Sequence, residues 1–402
     1  MDAIILFFIF AYMMHDMPAI SVYYPSIAYA AITIITVLLL LSRIRLKSIT
    51  LIIPFVLLPI LNLVFTDGAL SSYTGWAVAL QFFVYPLIAL YVLQNGDKHI
   101  AKVVFWTYLA FQIIICITTI IALNIYPEAS RAFAHGDFAQ SDEYVLYRSL
   151  NIGGFTFIYA LTLSIPLIVL VWRFGKRLFS YNGAIRLFAF SFLILSLYTI
   201  FRAQYTTAIV FAAFALGLSF IKKKLKFGVL LLVFIAGFVL FLVLKPTIAT
   251  AIHTVAEHSE GLVFQDRIED IALSMQGKSL DESSDFAARQ FFWAKSIDTF
   301  ISNPLGTWTN NEVGGHSTWL DAFARYGIFA FLLIALIVRS VKQFLLRNIN
   351  NTTIYNHLVV CVLTVILLGF FNPTYNTDFL LFVIPVYLYV VADINIVSYY
   401  RN

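Results

Sequence analysis

One histidine and a few arginines are the residues best suited to chemistry. His316 follows Gly314-Gly315, where the backbone can bend freely, and precedes Thr318-Trp319-Leu320-Asp321, a capping-box pattern that opens a long apolar stretch. That spacing predicts an imidazole just outside a helix N-terminus. The positive end of the helix disfavours imidazolium there and keeps the ring neutral, the form a general base needs. The same residue also reads as a polar side chain at a membrane interface, bonded to a nearby carbonyl. Asp321 either orients the histidine or caps the helix.

Arg202 stands between two apolar stretches, 191–201 and 203–220, with no polar linker around it. A helix over the second stretch rises roughly 27 Å, which places Arg202 at its boundary. A guanidinium at membrane depth is costly unless it meets an anion or a wet cavity, and its fork suits bidentate phosphate contacts. Snorkelling to the interface is the other reading. Arg289 lies on the flank of an amphipathic stretch, where Asp285 at i−4 offers an ordinary surface pair. Arg267 has Asp266, Glu269 and Asp270 beside it and reads as solvated. Arg148, in Tyr147-Arg148-Ser149-Leu150-Asn151-Ile152-Gly153-Gly154, either lines the same cavity or anchors at headgroup level.

Other chemistries find no support. His253 and His258 in HTVAEHSE are five apart and do not make the zinc-binding HExxH, so no metal site is expected. No phosphate-binding glycine loop, dinucleotide fingerprint or nucleophile elbow occurs, and no cofactor is expected. Cys116 and Cys361 lie in apolar runs and make neither a disulfide framework nor a thiolate site.

The elements that must position these residues are membrane helices. The chain has 402 residues, 61% hydrophobic and only 12% charged, with mean hydropathy +0.88. A soluble globular chain is nearer a quarter charged. No water-soluble core can bury that much Phe, Leu and Ile, so the bilayer must be the solvent. Hydropathy and turn residues predict an all-α polytopic protein, one membrane domain over 1–402 with about twelve spans. They fall roughly at 2–14, 21–41, 49–66, 73–93, 100–125, 151–172, 184–201, 203–220, 227–244, 317–338, 355–371 and 377–397. The N-terminal apolar run lacks a basic flank and a small-residue cleavage site, so it reads as a retained first helix.

Basic residues mark every second link: Arg43, Arg45 and Lys47; Lys98 and Lys102; Arg173 to Arg186; Lys222 to Lys226; Arg339 to Arg347; Arg401. The positive-inside rule puts those links and both termini in the cytoplasm. The net charge of +5 therefore reports orientation rather than nucleic-acid binding. Two opposite links are long, 126–150 and 246–315. Within the second, Phe286, Gln290, Trp293, Ile297 and Phe300 recur at helical spacing until Asn303-Pro304-Leu305-Gly306 stops them. Such a helix would lie along the outer membrane surface.

Two stretches carry a resemblance. RQFFWAKSIDTFISNPLG followed by GGHSTWLDAFARYGIFAF resembles the bacterial O-antigen polymerase and O-antigen ligase superfamily. The shared pattern falls on Arg289, Trp293, Pro304-Leu305-Gly306, His316, Asp321 and Tyr326-Gly327. The family's upstream arginine at the outer end of a span looks like Arg202 in FRAQYTTAIV, although Phe201 stands where the family often has Ser or Thr. Arg148 ahead of Gly153-Gly154 is similar to the arginine before the family's sixth span. The sharp motif occupies residues 289–327; the likeness in topology covers the whole chain.

The resemblance implies a membrane glycosyltransferase of the C-type class with a large extracytoplasmic loop, independent of metal. It would sit in the bacterial inner membrane with its site facing the periplasm. Its substrate would be an oligosaccharide linked to polyprenyl diphosphate (undecaprenyl diphosphate in bacteria), with membrane lipid and a chain-length regulator protein as partners. In such enzymes the histidine is held to deprotonate the acceptor hydroxyl while arginines hold the diphosphate. Carried over, this makes His316, Arg202 and Arg289 catalytic, with Arg148, Arg267, Asp321 and Tyr326 joining the two arginines in binding substrate. The GGHSTWLDAFARYG wording resembles polymerases of the lipopolysaccharide O-antigen more than ligases, which move finished polymer onto lipid A–core. A polysaccharide transporter or flippase is the competitor from another class. It would need charged groups deep in several spans.

Overall fold

Apolar runs with no water to bond their backbone must satisfy their amides internally. The computed structural model of this chain does so by helices, and no strand occurs among the described residues. These residues are 2–65, 73–95, 97–133, 141–179, 182–230, 285–309, 313–347, 349–373, 376 and 378–394, with 247, 250, 253 and 254. In chain order the helices are α1 (Asp2–His15), α2 (Pro18–Ser21), α3 (Ser26–Leu41), α4 (Leu46–Ile49), α5 (Ile53–Val64), α6 (Tyr73–Asn95), α7 (Lys98–Ile125), α8 (Ala129–Ala132) and α9 (Asp142–Ser149). Then follow α10 (Phe155–Phe179), α11 (Gly183–Ala203), α12 (Thr206–Leu218), α13 (Asp285–Ser302), α14 (Thr318–Tyr326), α15 (Phe329–Val341), α16 (Thr352–Phe371) and α17 (Ile384–Val391). Short π-helical turns, Lys342–Leu346 and Phe379–Val383, extend α15 and precede α17.

Five of the described helices are long and apolar enough to cross a membrane: α7, α10, α11, α15 with its π turn, and α16. Shorter apolar helices include α1, α3, α5, α12 and the Phe379–Val391 segment. The expected span over 317–338 is instead two helices. Its backbone breaks at Gly327, where φ is +57°. The expected span at 227–244 from residue 231 on, nearly all of 246–284 and Arg267 lie outside the described residues.

The chain forms two compact units. Unit 1 comprises Met1–Lys224, Leu333–Leu368 and Thr374–Asn402; unit 2 comprises Leu225–Leu332 and Gly369–Pro373. In unit 1, α10 packs on α11 and α12, α3 on α1 and α6, and α7 on α11 and α17. The run from Val84 to Leu93 in α6 and that from Leu358 to Leu363 in α16 are buried throughout. Such continuous burial explains why these runs show apolar residues on every face. In unit 2, α13 packs against α14.

Candidate functional site

Unit 2 is built from the segment that carries the histidine. Ser317 caps α14: its backbone is extended and its hydroxyl accepts the Leu320 N–H at 3.1 Å. Asp321 reaches back one turn, and its Oδ2 accepts the Ser317 N–H at 3.1 Å. Its Oδ1 accepts the Ser296 hydroxyl at 2.6 Å, and that hydroxyl in turn accepts the Gly314 N–H at 2.9 Å. Ser296, Ser317 and Asp321 are all buried. Both oxygens of Asp321 thus serve to start α14 and to tie it to α13 and the glycine turn. The cap lies one residue earlier than the Thr318 box expected from sequence.

This scaffold sets His316. Its ring stacks on Phe292 of α13, with centroids 4.4 Å apart and planes 17° from parallel. Its carbonyl accepts the indole N–H of Trp293 at 3.4 Å. Phe292, Trp293 and Ser296 follow Arg289 by three, four and seven residues, so all four share one face of α13. Arg289 therefore lies one helical turn from the ring that holds the histidine. Both Arg289 and His316 are half-buried.

A second lock closes the segment. Gly306 and Gly327 both take positive φ, +89° and +57°. A Cβ on Gly327 would collide with the Pro304 carbonyl, and one on Gly306 with the Arg325 carbonyl. Backbone bonds cross the contact: Ile328 N–H to Pro304 O at 2.9 Å and Trp308 N–H to Arg325 O at 2.9 Å. The Pro-Leu-Gly stop and the Tyr-Gly turn, distant in sequence, are therefore two sides of one backbone contact. Tyr326 is only 1% exposed, and its ring meets Trp308 with centroids 5.4 Å apart. That burial gives Tyr326 a packing role within unit 2. Arg325 escaped the sequence reading: it is buried, its guanidinium 5.7 Å from the Tyr326 ring centroid.

The remaining arginines belong to unit 1. Arg202, half-buried near the end of α11, donates from Nη2 to the Leu123 carbonyl and to Asn124 Oδ1, both at 2.9 Å. Those acceptors lie in the last turn of α7, where a cation is favoured by the helix dipole. Its Nε is buried and has no partner among the described residues. Arg148 ends α9. The next segment is pinned by Asn151, which takes φ +58°, accepts the Ala19 N–H at 3.2 Å and donates to Thr118 Oγ1 at 3.1 Å. Arg148 donates to the Ser21 hydroxyl and lines a cavity of about 720 Å³. Two carboxylates that sequence reasoning passed over, Asp16 and Asp378, line the same cavity. In the turn after α1, burial pushes the Asp16 carboxyl up to about 6, while the Tyr85 hydroxyl and Arg148 pull it down.

Comparison with protein-family models, curated proteins and solved structures finds no match to the chain.

Proposed function

We propose that the chain is a membrane glycosyltransferase that polymerises an oligosaccharide carried on polyprenyl diphosphate, as its likeness to O-antigen polymerases implies. The observation that carries the proposal is the stacking of His316 on Phe292, one turn from Arg289 on the same helix face. A fixed imidazole next to a guanidinium is what metal-free transfer from a diphosphate requires. His316 takes the proton of the acceptor hydroxyl as that oxygen bonds to the anomeric carbon. The bond from that carbon to the phosphate oxygen breaks in the same displacement, which inverts configuration. The negative charge appearing on the leaving diphosphate is met by guanidinium groups.

Arg289 is the first of these groups. Arg202, in unit 1, is the second arginine that the resemblance assigns to the diphosphate; one of its nitrogens already caps α7. Arg148 is left out, because Asp16 and Asp378 share its cavity and would repel an anion. In this reading the helices form about twelve spans of a bacterial inner membrane, with α13 on the periplasmic surface.

The test is His316→Ala, purified at normal yield and supplied with a lipid-diphosphate repeat unit. Polymer should fall below detection; polymer of normal amount and length removes the base and the proposal with it. Elongation of lipid A–core in place of the lipid-linked unit would assign ligation.

A further inference from the structure

The transfer chemistry leaves the cavity of unit 1 without a role. It measures about 720 Å³, within the range of roughly 300–1,000 Å³ that organic ligands occupy and far beyond what a bare cation needs. Its wall is drawn from distant parts of the chain: Asp16 after α1, Tyr85 in α6, Tyr108 and Gln112 in α7, Arg148 in α9, Asp378 ahead of α17. Tyr85, Tyr108 and Phe382 cluster on it, with ring centroids 5.0, 5.3 and 6.2 Å apart. The Tyr85 hydroxyl donates to Asp16. The Nδ2 of Asn376, which also lines the cavity, is buried and has no partner among the described residues.

These features select an occupant by elimination. Two carboxylates beside one guanidinium leave the wall without net positive charge, so a phosphate or an acidic sugar has nothing there to draw it in. A lipid tail would leave the remaining hydrogen-bonding capacity of the carboxylates, the guanidinium and the amides unmet. A sugar satisfies them. Each hydroxyl can donate to a carboxylate and accept from a guanidinium or amide N–H, and the apolar C–H face of the ring packs on aromatic carbon.

We propose that this cavity binds a short saccharide without acidic groups, its hydroxyls held by Asp16, Asp378, Arg148 and Gln112 and its apolar ring face against Tyr108, which Tyr85 and Phe382 back from behind. For the saccharide's source it rests on the transfer reading, as the glycan end of the lipid-linked substrate; for its chemistry it rests on the cavity alone.

The test uses the full chain in lipid nanodiscs, probed by saturation-transfer NMR. The probes are neutral tetrasaccharides (maltotetraose, chitotetraose, lacto-N-tetraose), an acidic sialylated tetrasaccharide and inorganic diphosphate. At least one neutral probe should bind. Asp378→Asn should weaken that binding tenfold or more and Gln112→Leu at least threefold, with thermal melting of both close to wild type. His316→Ala should bind the same probe as wild type does. The inference is overturned if no neutral probe binds, if both well-folded cavity variants bind as wild type, or if the acidic probe or diphosphate binds in preference. Normal polymer from His316→Ala with glycan binding intact would sink the transfer mechanism and leave the cavity's role standing.

Discussion

The two units reach their polar groups by opposite routes. In unit 2 the contacts around His316 come from one short stretch: Ser296 meets Asp321 across 25 residues, Gly314 meets Ser296 across 18, and Trp293 meets His316 across 23. In unit 1 the cavity side chains come together over most of the chain: Tyr85 meets Asp16 across 69 residues and Arg148 meets Ser21 across 127. A site assembled on one helix and the turn facing it follows from helical period and turn residues. A cavity assembled from loop ends and helix starts does not, because no local spacing says which ends will meet.

The contrast can be broken at several points. The largest effect is expected for Gly327→Val, which places a branched side chain at φ +57° against the Pro304 carbonyl. Strain and clash should cost about 3 kcal/mol or more, read as a fall in the melting temperature of the purified protein. An unchanged melt would show that the glycine lock does not hold unit 2 together.

His316→Ala comes next. Turnover should drop about 10²- to 10⁴-fold, the usual worth of a general base. Stability should fall by only about 1 kcal/mol for the lost stacking on Phe292. Equal losses in both would reduce the histidine to packing.

Ser296→Ala removes the hydroxyl shared by Asp321 and Gly314 and leaves a buried carboxylate oxygen and N–H unpaired. The expected destabilisation is about 1–3 kcal/mol. Rescue by Ser296→Thr would assign the effect to the hydroxyl.

Arg202→Lys is the mildest. An ammonium can still bond the end of α7, so stability should change by about 0.5 kcal/mol, while loss of the fork should slow turnover several-fold. Wild-type turnover would leave Arg202 as a cap alone.

Several readings from sequence were accurate because they rested on local physics. The aromatic residues spaced along 286–300 form a helix, and Asn303-Pro304 ends it at Ser302. Gly314-Gly315 precedes a capped helix, although Ser317 rather than Thr318 supplies the cap. Where sequence misled, a distant contact decided. The stretch 317–338 is uniformly apolar after Tyr326, and nothing local reveals that Gly327 must turn to meet Pro304. Tyr326 looked available to a substrate until Trp308 folded over it. Arg202 stands between two apolar stretches, and nothing local shows that Leu123 and Asn124 of another helix accept from it. Asp16 falls in the link after the first expected span and Asp378 at the start of the last, and no local pattern singles out either. Only the packing around them turns them inward to a shared cavity.

Long unbroken apolar runs by themselves decided that this chain is helical, since beside lipid only helices and closed barrels satisfy their backbone, and barrel strands alternate apolar with polar residues. Periodicity and turn residues decided the helix that carries Arg289 and the loop that carries His316. Tertiary structure alone decided which ring holds the histidine, which glycines touch, and that two carboxylates face one guanidinium across a cavity. The physical reason is range: propensity and capping act over a few residues, while close packing and charge pairing act between atoms near in space, wherever they lie in the chain.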